Sequence, residues 1–401
     1  MSRNSSQDVA VGQRIRDRRV LLRWTVRYTA DRAGISHSTL SRIERGQISA
    51  DNRITLARIA EALKCPVTDL TGLPQDPVSR DQAETGGAIY ETVRSFVEAD
   101  LDYPPETPAH PWDFLTAELE LVRDLRVRCD YAGAASRLPL IAQGLHTATV
   151  GENRADALRS MVLAADTASF IVRYLGHPGS ACLVADRAQQ AAEALEIPSL
   201  LGLAAWDRAH AATGMGLYNR ALAIASRAAE ILEPHYGTED APEMLGQLFM
   251  IQAFSLYALG RKDDALARVA EAETIAARTG DSPALRLKFG PTNIRFWRIS
   301  MEADGDSPGR AVELARITNP AAIESIARQA AFYADTARAL ARTGADEAAI
   351  RMMATAYRLA PQRTGRNPLA KETVRGLLER AKRGQGWPEL RSLAERMGIG
   401  A

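Results

Sequence analysis

The feature that most constrains this chain is a spaced alanine motif that returns six times. A small or turn-forming residue, then four further residues, leads into an alanine in "DYAGAAS" (Ala135), "GHPGSAC" (Ala181), "GLYNRAL" (Ala221), "GRKDDAL" (Ala265), "DSPGRAV" (Ala311) and "GADEAAI" (Ala349). Successive alanines are 46, 40, 44, 46 and 38 residues apart. Seven residues further on comes a second alanine in five of the units, Ala142, Ala188, Ala228, Ala272 and Ala356, while the fifth unit has Thr318. Alanines two turns apart on one helix let a neighbouring helix approach closely. From Ala88 onward Ala, Leu, Arg and Glu dominate, strand signals are missing, and Gly and Pro fall mostly between helical runs. A recurrence of this length means stacked helical units that bury their apolar faces only against neighbours. An irregular helical bundle is the alternative, but composition alone does not produce the regular pairs.

The first 73 residues follow a different logic. In "DRAGISHSTLSRIERG" (31–46) a glycine separates two helix-forming runs. Thr25 is placed to cap a helix ending at Ala33, and Gly34 can take the positive φ that ends it. Ile35 then points inward, and Ser36 can cap a second helix. On that helix Leu40 and Ile43 share one face, while Ser38, Ser41, Arg42 and Arg45 share another at i, i+3, i+4 and i+7. Such a polar stripe lets a helix come close to something polar and anionic. Glu44 sits beside the inward face and needs a partner for its charge, which Arg19 in "GQRIRDRR" can supply. The following "DNRITLARIAEALKCPVTDLTG" predicts a helix with Ile54, Leu56, Ile59, Ala60 and Leu63 inward, then a helical turn over Val67–Leu70.

Residues 12–72 thereby resemble the Cro/phage-repressor (XRE) family of helix-turn-helix proteins, matched by "QRIRDRR", "DRAGIS", "TLSRIERG" and "TLARIAEAL". The resemblance implies a recognition helix over about Ser36–Arg45 lying in the major groove, with double-stranded operator DNA as partner. It places His37, Ser38 and Arg42 at base edges, with Ser36, Thr39, Ser41 and Arg45 close by. Thr25 and Arg27 match phosphate-contact positions. Where the family often carries Gln, this chain has Val26, so one backbone contact is missing and Val26 packs with Trp24 instead. Charge agrees: residues 1–73 hold 13 basic against 7 acidic side chains, the remainder 37 against 42. That puts a positive module on an acidic body. With 45 Arg against 5 Lys, however, single arginines carry little weight.

The alanine units resemble the tetratricopeptide repeat, whose second helix carries Gly-x4-Ala-x6-Ala, but with periods longer than that family's. The expected architecture is all-α: a disordered tail (1–9), a five-helix DNA-binding domain (10–73), a linker (74–87, within "LPQDPVSRDQAETGG") and an α-solenoid of tetratricopeptide-like helix pairs (88–401). The charged segment "NPLAKETVRGLLERAKRGQGWPELRSLAERMG" is expected to cap the array. In the repeat family the first helix of each pair lines a concave face. Counting by register picks Asp166, Phe170, Arg173, Trp206, His210, Gln247, Phe254, Tyr257, Asn293, Phe296 and Arg338 as candidate ligand-binding residues. Phe170, Phe254 and Phe296 read more readily as core, whereas Asn293 and Gln247 are hard to explain by packing.

A repressor-type domain joined to a repeat body also resembles the peptide-sensing regulators of bacterial quorum signalling. The expected function is transcriptional regulation by a homodimer that answers to a peptide or small-molecule effector. The alternatives are a repeat domain that binds a partner protein (antitoxin or anti-repressor) or one that only dimerises. No P-loop, HExxH or GxSxG is present, and "GMGLYN" follows a helix rather than a strand, so no enzyme, cofactor or metal site is expected. Cys65, Cys129 and Cys182 are isolated and read as buried small side chains. "MSRNSSQDVA" has no apolar core and no run of ~18 apolar residues occurs. The expected setting is cytoplasmic, away from membranes.

Overall fold

The computed structural model describes residues 10–72, 80–98, 101, 103, 110–381 and 388–399. The expected tail (1–9) and the first part of the expected linker (74–79) lie outside the described residues; residues 80–87 of that linker are already helical. Among the described residues there is no β-strand, and an isolated bridge joins Ser282 and Phe289. The protein is all-α. No described helix is long and apolar enough to cross a membrane.

In chain order the helices are α1 (Val11–Leu21), α2 (Val26–Ala33), α3 (His37–Glu44), α4 (Arg53–Ala62), α5 (Val67–Thr71), α6 (Arg80–Val97), α7 (Trp112–Val127), α8 (Tyr131–Ala135), α9 (Leu138–Ala148), α10 (Arg154–Tyr174) and α11 (Pro178–Leu195). They continue with α12 (Pro198–Gly214), α13 (Tyr218–Leu232), α14 (Ala241–Ala258), α15 (Lys262–Thr279), α16 (Pro291–Asp304), α17 (Pro308–Arg316), α18 (Ile326–Arg342), α19 (Asp346–Leu359), α20 (Pro361–Arg366), α21 (Pro368–Ala381) and α22 (Pro388–Arg396). These elements form two compact units. One holds Met1–Asp76 with Arg298–Ala322 and Ala327–Ala401; the other holds Pro77–Trp297 with Ile323–Ile326.

The second unit is a run of helical hairpins. α10 packs on α11, α12 on α13 and α14 on α15, while α10 also meets α12 and α12 meets α14. Each first helix therefore touches the first helix of the next pair, as in helical-repeat arrays. The spaced alanines explain the close approach: all eleven are buried, and so is Thr318. Ala135 and Ala142 do not share a helix, because the chain breaks between α8 and α9 just before Pro139. Of the three cysteines only Cys129 is buried; Cys65 and Cys182 are half-buried.

The first unit combines the N-terminal helices with α17–α22. Ile15, Ala30, Leu40, Ile43, Leu56, Ile59, Leu63 and Leu70 build a core that also takes in Leu369 from α21. A Cβ at Gly12 would overlap the Ile43 carbonyl, so this glycine permits α1 to lie directly on α3. Ile54, expected inward, is only half-buried. The C-terminal segment departs from a simple polar cap. On one side Val374, Leu377, Leu390 and Leu393 join Ala349, Met353 and Ala356; on the other, α21 is covered by the N-terminal helices.

Polar groups tie that second contact. Ser49 Oγ donates to the Glu372 carbonyl (3.0 Å), Thr373 Oγ1 to Asp51 Oδ2 (2.9 Å), and the Val11 amide to Glu372 Oε1 (3.4 Å). At the start of α4 the Arg53 amide and Nη1 donate to the Asp304 carboxylate (3.0 and 2.8 Å), and Asn52 Nδ2 donates to the Asp304 carbonyl (2.6 Å). An anion at a helix N-terminus is favourable because free N–H groups and the helix dipole face it. Asp304 also pairs with Arg338, whose Nη2 donates to the Asp51 carbonyl (2.6 Å).

Candidate functional site

The helix that would meet DNA is set by short-range chemistry. Thr25 Oγ1 accepts from the Tyr28 amide (3.1 Å) and starts α2; Gly34, at φ 61°, ends it. Ser36 Oγ then accepts from the Thr39 amide (3.0 Å) and starts α3. Caps of this kind contribute about 1 kcal/mol each. Leu40 and Ile43 anchor α3 in the core. Glu44 is buried too, and Arg19 closes on it with a fork, Nε to Oε1 and Nη2 to Oε2, both 2.7 Å. The hydrogen bond to Glu44 raises the Arg19 pKa against the opposing effect of burial. A third bond, Arg19 Nη1 to the Trp24 carbonyl (2.8 Å), fixes the chain entering α2.

The opposite side of α3 stays open. Ser36, His37, Ser38, Arg42 and Arg45 are exposed, Thr39 and Ser41 half-buried, and Thr25 and Arg27 exposed beside them. Val26 and Trp24 pack against the core, as expected from the departure at that position. Thr39 and Arg42 also wall a cavity of about 470 Å³ whose other side includes Arg342, Thr373 and Arg380. The sequence reading missed Asn52 and Arg53, because what they hold, Asp304, lies about 250 residues away and leaves no local trace.

The helix-turn-helix family matches residues 15–70, the segment that contains these caps and the exposed stripe. Residues 15–70 therefore form a helix-turn-helix domain. Over 114 residues the chain is 26% identical to a Bacillus subtilis (strain 168) protein described as the uncharacterized HTH-type transcriptional regulator RghRB, spanning 27% of this chain and 81% of that protein. It is also similar to the crystal structure of Bacillus thuringiensis PlcR in complex with the peptide PapR7 and DNA, at 18% identity and a TM-score of 0.31. That match covers 67% of this chain and 94% of PlcR.

The candidate ligand residues divide between the two units. Asp166, Phe170 and Arg173 lie on α10, Trp206 and His210 on α12, Gln247, Phe254 and Tyr257 on α14, and Asn293 and Phe296 on α16, all within the hairpin unit. Arg338 belongs to the other unit. It is buried among Asp304, Asp335 and the Asp51 carbonyl, and so is engaged in holding the N-terminal module. Within the hairpin unit the rings of Trp206 and His210 lie 4.3 Å apart, His210 and Trp297 5.3 Å, and Trp297 and Phe254 5.7 Å. Phe254 and Phe296 are buried and Phe170 half-buried. Trp206, Gln247, Tyr257 and Asn293 are buried as well.

A charged cluster adjoins the rings. Arg126 pairs with Asp166, and its guanidinium lies 4.2 Å from the Phe170 ring centre. Arg173 lies 5.6 Å from the same ring. Asp207 was missed from sequence; burial, then the adjacent Asp166 charge, pushes its pKa well above the usual carboxylate range against Arg126 and Arg173. Beside this cluster, Trp206 Nε1 and Gln247 Oε1 are buried without a hydrogen-bond partner. Each such atom costs roughly 1–3 kcal/mol unless a further group satisfies it. Among the described residues no cluster of metal-ligand side chains occurs.

Proposed function

We propose that this chain is a sequence-specific transcriptional regulator that binds its operator through α3 as a homodimer and answers to a peptide or small molecule on the first-helix face of the hairpin unit. Residues 10–73 carry DNA binding, and helices within 88–401 carry ligand binding and dimerisation. The observation that supports the DNA reading best is the division of α3. Leu40, Ile43 and Glu44 are locked inside by packing and the Arg19 fork, while His37, Ser38, Arg42 and Arg45 remain exposed on the other face. A helix so anchored presents its side chains to the major groove without further ordering cost.

In this reading Arg42 and His37 meet base edges, with Ser36, Ser38, Thr39, Ser41 and Arg45 around them, and Thr25 and Arg27 hold phosphates. Arg42→Ala is expected to cost about 1–3 kcal/mol on the operator and relax preference at one base pair. Arg27→Ala weakens all sequences alike and flattens the salt slope. Equal losses on operator and random DNA for Arg42→Ala refute base reading. Pairing on half-sites ~34 Å apart doubles the contacts that one small module makes. Light scattering on the purified protein tests it, and a monomer refutes it.

The ligand reading is supported by two unsatisfied atoms, Trp206 Nε1 on α12 and Gln247 Oε1 on α14, which ask for a complementary acceptor and donor. In a reporter strain, Asn293→Ala is expected to abolish the response to the effector while the protein stays folded. A full response refutes the placement of the ligand.

A further inference from the structure

One segment of the hairpin unit lies on the proposed ligand face and belongs to the chain itself. Between α15 and α16 the chain folds back so that the Ser282 amide donates to the Phe289 carbonyl (2.7 Å). On one side the segment is seated on α14. Gln247 Nε2 donates to the Leu287 carbonyl (3.1 Å), and Ser282 Oγ donates to Glu243 Oε1 (3.0 Å). The Phe289 ring fills the space over Gly246, where a Cβ would overlap it. On the other side Arg286 reaches α7, with Nη2 to Glu120 (2.5 Å) and Nη1 to Asp124 (2.8 Å). α7 and α14 are first helices three hairpins apart, so the segment is a strap that ties one to the other.

Its backbone is unusual. Leu285, Arg286 and Lys288 have φ of 47°, 60° and 58°, in the left-handed region that side chains rarely adopt. Three such residues within four positions are held there by the contacts just described, because a plain connection requires none of them. The strap also leaves its seat half satisfied. Gln247 Nε2 has its acceptor, but Gln247 Oε1 is buried without a donor. An extended peptide offers an N–H and a C=O to one amide side chain and satisfies both.

We infer that residues 285–289 are an internal stand-in for the effector, and that the effector is an extended basic peptide. Its arginine pairs with Glu120 and Asp124, its main chain bonds both ends of the Gln247 amide, and its apolar side chain covers Gly246. It displaces the strap, releasing the three left-handed residues. This inference rests on the ligand reading of the first-helix face. As a tethered competitor, the strap acts at a high effective concentration, so an added peptide meets it at a disadvantage until the strap is loosened.

The probe is fluorescein-labelled acetyl-Leu-Arg-Leu-Lys-Phe-amide, titrated into the full chain by anisotropy. Arg286→Ala is expected to bind it at least tenfold tighter than wild type. Adding Glu120→Gln and Asp124→Asn to that variant removes most of the gain, and replacing the peptide's arginine by glutamate abolishes binding. Hydrogen exchange provides a second readout: saturating peptide should expose the 282–289 amides while protecting α14. Equal affinity for wild type and Arg286→Ala, or no binding by either, overturns the stand-in. So does binding that leaves exchange at 282–289 unchanged. If the peptide fails while Asn293→Ala still abolishes the reporter response, the stand-in falls and the ligand reading survives. A reporter indifferent to Asn293→Ala overturns both.

Discussion

Asp304→Asn removes one charge from the most deeply buried ion pair of the DNA-binding unit, and its cost can be worked from the surroundings. The side chains of Asp304 and Arg338 are each only 1% exposed. Removing one partner of a buried pair costs about 3–5 kcal/mol, because the other charge is left without its counterion. Arg338 keeps Asp335 (2.8 Å) and the Asp51 carbonyl, which argues for the lower end, about 3 kcal/mol. Arg53, 29% exposed, also loses its partner, but water replaces it, adding at most about 1 kcal/mol. In a unit of this size about 3 kcal/mol corresponds to roughly 6–12 °C of melting temperature. Burial alone would raise the Asp304 pKa; the Arg338 and Arg53 charges outweigh it and hold the group below the usual carboxylate range. The stabilisation is therefore complete above the unfolded value near ~4 and is lost as pH falls through the lower folded value. Calorimetry of wild type and Asp304→Asn at pH 7 and in acid, with hydrogen exchange at the α4 amides, checks both parts. A difference below ~0.5 kcal/mol at pH 7 would refute the reasoning, as would α4 amides that exchange no faster.

Glu372 carries the opposite pH dependence. Burial pushes its pKa up to about 7, and Asp51 adds to this, while the Val11 amide and Arg14 oppose it. It also pairs with Arg375 on its own helix. The folded pKa lies above the unfolded one, so ionisation destabilises: there is no penalty below pH ~4.5, and the full penalty is reached above ~7. Glu372→Gln should thus stabilise by up to roughly 3 kcal/mol at pH 8 and by nothing at pH 4 in urea titrations; a pH-independent effect contradicts this. Arg19→Ala and Glu44→Ala in the full chain should each cost roughly 3 kcal/mol, and the double variant clearly less than their sum. Additive losses mean that the fork contributes nothing. Ala188→Leu forces a larger side chain into the fully buried α11 face and should cost about 1–3 kcal/mol, read as a lower melting temperature; an unchanged midpoint removes close helix approach as the reason for the alanine.

What could be read from sequence was what local chemistry decides. Thr25, Gly34 and Ser36 mark helix ends through groups three or four residues away, so the turn before α3 was visible in sixteen residues. The alanine pairs were legible for a related reason. In an array of hairpins each contact lies between neighbours, so the requirement for a small residue recurs with the repeat. Even Arg19 and Glu44 were foreseeable, since a carboxylate beside Ile43 needs a cation and the first helix offered one. Lining residues chosen by register were less secure. Ten of the eleven lie in the hairpin unit, but Arg338 sits at the same register of a later helix and is turned to another purpose by Asp304 and Asp51.

The unread features share one physical property: their partners are distant in sequence and unlike each other in type. Nothing about "DNRIT" announces that the α4 N-terminus will be capped by the carboxylate of Asp304, because Asn52 already suffices as a cap through its bond to the Thr55 amide (2.8 Å). Similarly, "SPALRLKF" reads as an ordinary connection with a proline near its start. Its role as a strap depends on Glu120 and Asp124 standing more than 160 residues upstream. Charge balance hid both arrangements, because Arg286 and Arg53 are two arginines among 45 and carry no distinguishing neighbours. A polar, proline-containing stretch after Gly72 says only that the following residues need not pack. Whether the module before it floats or docks is decided by Glu372, Thr373 and Asp304, whose hydrogen bonds hold Val11, Asp51 and Arg53 from 250 to 360 residues away.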